Sequence, residues 1–316
     1  MSLILTVDER AWRAHVDRVW AEHPGLVPVV KGTGYGFGRE VLAAEAAGRG
    51  ARFVAVGTVH ELDGLPPGPT PVVLTPTTRV APDAAIGAVL TIADPAQLAA
   101  AAVGGAVGVI VEVTSSMRRY GTDAGGVRTL VDQADAAGLV VVAAGIHLPL
   151  AGSSAERAAE TAAWCDVLPA GLPLWVSHLD AGDVAALAAR GPGRTVVQRI
   201  GTRLWLGDKG FTHLGAEVVS LRDVAAGDRC GYRQVPAPAG GTVVTVGAGT
   251  VQGVRLLDDT RSPIHHARRR LALIEPPHQH ATLAFVPEGE PCPQLGDVVD
   301  VQRPLTEVRP DELVWR

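Results

Sequence analysis

From about residue 10 to 206 the chain alternates short runs of Val, Ile and Leu with alanine-rich stretches of helical length. That alternation restricts the fold more than any other feature. The apolar runs fall at 27–30, 53–56, 71–74, 88–92, 108–113, 139–146, 174–177 and 195–199. Most do not alternate with polar residues, as expected of parallel strands covered on both faces. Helix candidates lie between them, among them 96–103, 127–137 and 155–163. Parallel strands joined by crossover helices make right-handed units. Eight such units predict a closed (β/α)8 barrel.

From about residue 217 the segments become short, β-rich and broken by Gly and Pro, at 217–221, 241–246, 253–257, 281–286 and 297–301. This pattern predicts a smaller C-terminal all-β domain. An opening strand over residues 2–7 is expected to pair with it, since the barrel needs no ninth strand. The expected division is therefore a barrel over 8–215 and a β-rich domain over 216–316 that includes strand 2–7.

Composition narrows the class. Apolar residues make up 47% of the 316 and charged residues 19%, ordinary values for a soluble globular protein. No apolar run approaches the roughly 20 residues that span a bilayer, and the first residues lack the basic and apolar regions of a signal peptide. Three cysteines (Cys165, Cys230, Cys292) make no disulfide framework and fit a reducing interior. A net charge of −5, with Arg268-Arg269-Arg270 as the one basic cluster, argues against a nucleic-acid groove. These features predict a cytoplasmic enzyme.

Only two of the 28 basic residues are lysines, Lys31 and Lys209. Lys31 ends the first barrel run and opens the glycine-rich stretch Lys31-Gly32-Thr33-Gly34-Tyr35-Gly36-Phe37-Gly38. Arginine cannot readily lose its proton, so a lysine retained at a strand end is suited to carbonyl chemistry. Barrel enzymes work at the C-terminal ends of their strands. Arg119, His147, His178 and the run Arg199-Ile200-Gly201-Thr202 all follow expected strands. None of these histidines has metal-ligand spacing, and the pairs His265-His266 and His278-Gln279-His280 read as surface residues rather than ligands.

These residues together resemble the alanine racemase family, fold-type III pyridoxal-phosphate enzymes. The resemblance implies pyridoxal 5'-phosphate as cofactor, with Lys31 as its Schiff-base residue and Tyr35 as a phosphate ligand. Met117-Arg118-Arg119-Tyr120-Gly121 is similar to the segment whose arginine meets the cofactor's phenolic oxygen and the substrate carboxylate, which maps to Arg119. His147 would pack on the pyridine ring. In Ser177-His178-Leu179-Asp180-Ala181-Gly182, a backbone N–H of Gly182 would stand where relatives use a phosphate-binding serine, and His178 would line the same end. Arg199 would face the pyridine nitrogen, with Gly201 and Thr202 amides on the phosphate. Ala226-Gly227-Asp228-Arg229-Cys230-Gly231-Tyr232 resembles the loop that carries a catalytic tyrosine, Tyr232. Seven residues before Arg119, where relatives often have a carbamylated lysine, stands Glu112. It is expected to orient Arg119.

The implied reaction is two-base racemisation of an amino acid, with Lys31 and Tyr232 exchanging the α-proton from opposite faces. A homodimer in which Tyr232 reaches the partner's site is expected, with no metal, nucleic acid or membrane partner. Departures from the family pattern fall at the entrance. Ala248 stands where relatives have a tyrosine, and Gln279-His280 replaces a Met-Asp pair, making Gln279 the substrate-side residue. The sequence stops at Arg316, before the segment that carries another gate-forming tyrosine in the family. A wider site, for amino acids larger than alanine, is the expectation. The alternatives are a decarboxylase or epimerase on the same fold, a catalytically quiet pyridoxal-phosphate protein, or an unrelated barrel enzyme.

Overall fold

The computed structural model describes residues 3–190, 193–207 and 209–316. Two compact units emerge. One is built on His15–Gly32 and Arg39–Gly207, the other on the first fourteen residues, Thr33–Gly38 and the chain beyond Gly207. The chain opens with strand β1 (Leu3–Val7) and helix α1 (Glu9–Glu22). Ser2, expected to begin that strand, lies outside the described residues.

The first unit is the barrel. Its strands are β2 (Val27–Pro28), β3 (Phe53–Val56), β4 (Thr70–Val73), β5 (Val89–Ile92), β6 (Gly108–Glu112), β7 (Val140–Gly145), β8 (Leu174–Val176) and β9 (Val196–Ile200). All neighbours pair in parallel, in the order β2-β9-β8-β7-β6-β5-β4-β3. A parallel bridge between Val29 and Ala55, with Val30 N donating to Ala55 O at 2.8 Å, joins the two ends of that order and closes the ring.

The helices are α2 (Arg39–Gly48), α3 (Pro95–Val103), α4 (Ala124–Ala136), α5 (Ser154–Val167), α6 (Ala181–Arg190) and α7 (Thr202–Leu206). Local chemistry sets their starts. Asp94 accepts from Ala96 N ahead of Pro95, Asp123 accepts from Gly126 N, and Ser153 with Glu156 forms a reciprocal capping box. The connections after β3 and β4 carry no α-helix, because Pro66, Pro67, Pro69, Pro76 and Pro82 interrupt them. The expected helix and strand positions are otherwise found within a few residues.

Every barrel strand contributes to a central layer. Val27, Val29, Ala55, Val72, Val89, Ile110, Ala143 and Trp175 are buried together, with Val197 packed against them. The lumen is thus a filled core, and chemistry is confined to its mouth.

In the second unit β1 pairs antiparallel with β10 (Thr212–Val224). It pairs in parallel with a last strand, Glu312–Trp315. Sheet growth from β10 continues through Gly241–Val246 and Thr282–Pro287 on one path and Val298–Val301 on another. Short strands at Arg229–Cys230 and Val235–Pro236 form a separate hairpin. A strand expected at 253–257 is absent. Gly253 takes φ 85 as the left-handed cap of a short 3-10 turn, and Val254 N donates back to Gly249 O, so the apolar run has no ladder to join. Trp12, Phe37 and Trp315 cluster with ring centroids 5.1 to 6.1 Å apart. The three cysteines are free thiols, and among the described residues no helix is long and apolar enough to cross a membrane.

Candidate active site

Strand geometry carries the central layer directly into the site. Residues two apart on a strand face the same side. Counting two beyond Val29, Ile110, Trp175 and Val197 gives Lys31, Glu112, Ser177 and Arg199, and counting four beyond Ala143 gives His147. The barrel mouth is therefore polar where its interior is apolar.

Lys31 emerges from the closing strand. Gly32 N donates to the Glu61 carboxylate at 2.9 Å, and Gly57 N donates to the same oxygen at 2.8 Å, so Glu61 clips the lysine loop to the end of β3. The Lys31 tip reaches solvent, yet its pKa lies below the usual lysine value. Desolvation is the largest cause; the Arg119 charge lowers it further, Glu61 opposes, and Arg199 adds a smaller lowering.

Arg199 and Glu112 form the buried centre. Arg199 Nη1 lies 3.3 Å from Glu112 Oε2, and Nη2 donates to Ile146 O at 2.8 Å. Arg199 Nε is buried with no partner. Gly145 makes room for the pair, since a β-carbon there would overlap the Glu112 carboxylate. The expectation that Glu112 orients Arg119 is thus corrected. Glu112 points inward across the lumen, where Arg199 also points, whereas Arg119 lies on the loop above. Arg119 instead sits over the Tyr120 ring, its guanidinium carbon 4.3 Å from the centroid. That loop is fastened by Ser115 Oγ donating to His147 O at 2.6 Å, and by Ser116 N and Oγ donating to Glu160.

His147 and His178 meet edge to face, ring centroids 5.1 Å apart. Burial pushes His147 down to about 3, helped by Arg199, Arg119, His178 and Lys31. His178 is lowered mainly by burial and then by Arg157, whose Nε donates to the His178 carbonyl. Both rings are neutral near pH 7. Ser177, buried beneath them, accepts a bond from Leu148 N at 3.1 Å.

Two helix starts complete the barrel mouth. Gly182 lies in the first turn of α6, with no heavy atom near the space a β-carbon would take. Gly201 caps α7 without a side-chain bond, so the first amides, including that of Thr202, have no capping acceptor. Fixed cations, neutral imidazole faces and helix-start amides outnumber the one buried carboxylate, which Arg199 already uses. This donor set fits an anionic, aromatic cofactor with a phosphate, and the partnerless Arg199 Nε offers a donor to its ring. Among the described residues no cluster of His, Cys, Asp or Glu is arranged for a metal.

The other sequence-predicted residues belong to the second unit. Tyr35 is buried in a one-turn 3-10 segment, Gly34–Gly36, with φ 55. Tyr232 is 86% exposed on the loop between the two short hairpin strands, and Gln279 is exposed, its carbonyl accepting from Val251 N. Ala248 is fully buried, its carbonyl accepting from Thr282 Oγ1 at 2.7 Å. The sequence reading missed Glu61, Ser115, Tyr120 and Ser177. Ser177 was open to the same two-residue count that reaches Arg199; Glu61 carries no signal, because only the fold brings it to Gly32.

The profile of the alanine racemase N-terminal domain matches residues 7–189. Solved structures resemble the whole chain at low identity. An alanine racemase from Bartonella henselae with covalently bound pyridoxal phosphate is 16% identical, with TM-score 0.72 and both chains covered in full. One from a D-cycloserine-producing Streptomyces lavendulae is 17% identical, with TM-score 0.69, covering 100% of this chain and 97% of that one. The biosynthetic alanine racemase of Pseudomonas aeruginosa is 20% identical, with TM-score 0.66, covering 96% and 91%. No curated protein matches the chain.

Proposed function

The chain belongs to the alanine racemase N-terminal domain family, and on that premise we propose that it is a pyridoxal-phosphate isomerase that racemises an amino acid. The observation that carries this reading is Lys31, one of two lysines in the chain, at a barrel strand end with its pKa depressed by burial and by Arg119.

Pyridoxal 5'-phosphate, when bound, supplies an electron-withdrawing ring that acidifies the α-hydrogen of an attached amino acid. Lys31 would hold the cofactor, and its lowered pKa favours the neutral amine that such a role and the acceptance of a proton both need. Arg119 has no hydrogen bond or ion pair of its own among the described residues, so its guanidinium is available to a substrate carboxylate. His147 and His178 offer neutral faces to the ring. Tyr35 and the amides of Gly182, Gly201 and Thr202 would hold the phosphate. Arg199, fixed by Glu112 and Ile146, is a guanidinium and so offers hydrogen-bond donors and no acceptor. It would therefore donate a hydrogen bond to the cofactor's ring rather than a proton, and so would leave the ring a weaker electron sink than an acidic partner would. Tyr232 is the base for the second face, with Gln279 beside the substrate.

In this reading residues 8–215 hold the cofactor, and 216–316 with strand 2–7 supply Tyr232 to the site of a partner in a cytoplasmic homodimer. The substrate is an amino acid, and Ala248 in place of the family's tyrosine favours side chains larger than that of alanine.

The test is α-hydrogen exchange. The protein with pyridoxal phosphate is incubated in heavy water with single L-amino acids, followed by chiral mass analysis. Deuterated D-enantiomer, lost in Lys31→Ala and Tyr232→Phe, is the expected result. A yellow protein that exchanges no amino acid would overturn the racemase reading, and alanine turning over far better than every larger amino acid would overturn the wide entrance.

A further inference from the structure

Glu275 is an ionisable side chain with 2% of its surface in solvent, and nothing in the proposed reaction uses it. It accepts three bonds. Tyr232 N donates at 2.7 Å, Arg233 N at 3.0 Å, and His278 Nε2 at 2.6 Å. Burial alone would raise its pKa, but these donors hold it below the usual carboxylate value. Gly231, just ahead of Tyr232, takes φ 70, and a β-carbon there would overlap the same carboxylate. The turn before Tyr232 and the carboxylate behind it therefore fit only together.

His278 extends this arrangement to the phenol. With a carboxylate as its partner, Nε2 carries the proton, which fixes the imidazole plane. That ring lies against Tyr232, centroids 4.5 Å apart at 45°, within the range of favourable aromatic pairs. Closing the loop needs only an acceptor for two amides. It does not need the His278 bond, which instead orients a ring under an otherwise exposed tyrosine.

We propose that Glu275 and His278 are positioning residues for Tyr232. Glu275 clamps the backbone of the Tyr232 loop and aims His278, and His278 holds the phenol in one orientation although it projects into solvent. The catalytic consequence rests on the reading of Tyr232 as a base, since proton transfer is sensitive to where the oxygen stands. The arrangement of the phenol does not rest on it.

The chain has three tyrosines, so fluorotyrosine labelling gives three fluorine resonances. The full-length protein with pyridoxal phosphate is labelled with 3-fluorotyrosine, and Tyr232→Phe assigns the Tyr232 signal. The expected result is a Tyr232 signal displaced from that of free fluorotyrosine, which collapses toward the free position in His278→Leu. The amino acid most active in the exchange panel then reports function. In His278→Leu, kcat falls on the order of tenfold to hundredfold, while KM and the cofactor's absorbance hold. His278→Phe keeps a ring without the Glu275 bond and recovers part of both signals. Glu275→Gln, which gives up the charge in the same shape, weakens both. An unchanged Tyr232 signal in His278→Leu and His278→Phe overturns the proposal. Full activity in Tyr232→Phe would instead remove the catalytic reading and leave the resonances to decide the positioning claim.

Discussion

Glu112 and Arg199 lie 3.3 Å apart across the barrel mouth, almost wholly out of solvent. Two charges in that setting stabilise little as a pair but become destabilising when either stands alone. Glu112→Ala leaves the Arg199 charge with only the Ile146 carbonyl, and we expect a loss of about 3–5 kcal/mol. Glu112→Gln, which keeps an acceptor in place, loses less. Urea unfolding of the two variants checks the order, and equal losses would mean that the charge is immaterial.

Lys31 binds its proton less tightly folded than unfolded. As pH falls below the ordinary lysine value of 10.5, the unfolded chain takes up that proton first, and the folded state loses stability until its own, lower pKa is passed. At neutral pH, well below 10.5, the penalty is present. Lys31→Met therefore raises the melting temperature of the cofactor-free protein at pH 7, and the gain shrinks as pH rises toward 10.5 and is gone above it. A variant that melts lower at pH 7 would contradict this.

His147 titrates at about 3 against an ordinary 6.5. Between those values the unfolded chain holds a proton that the folded chain does not. Its contribution is whole above about pH 6.5, declines on acidification, and is spent below about pH 3. Melting temperatures recorded from pH 7 to 4 should fall less steeply in His147→Asn than in the parent.

Tyr120 underlies Arg119 where Glu112 does not. An exposed cation over a ring is worth about 0.5–1 kcal/mol. Tyr120→Leu should therefore raise KM for the amino acid about two- to fivefold by that energy, with kcat nearly unchanged. An altered kcat at constant KM would instead place Tyr120 in the proton transfers.

The barrel was legible because buried parallel strands leave unbroken Val, Ile and Leu runs, and Lys31, Arg119, His147 and Arg199 because they follow such runs. Side-chain pairing was not legible. The family resemblance suggested that Glu112 serves Arg119, seven residues away, but strand alternation turns Glu112 into the lumen, toward a strand 87 positions on. The segment 253–257 has strand composition, and only the tertiary position of Gly253 shows that it caps a turn. His278 reads as a surface residue, since nothing local shows that it meets Glu275 or that two amides of another loop descend on that carboxylate.

Strand β1 has a consequence for how the protein is made. Leu5 pairs with Leu214 on one side and Leu313 on the other, and Leu3, Leu5 and Val7 are fully buried. A ribosome adds about 5–20 residues per second, so these first apolar side chains wait about fifteen to sixty seconds for their last partner strand. The barrel strands meet their neighbours far sooner. Strand β1 is thus synthesised before the whole barrel yet is among the last elements to be sheltered, which leaves its apolar face open to a chaperone in the meantime.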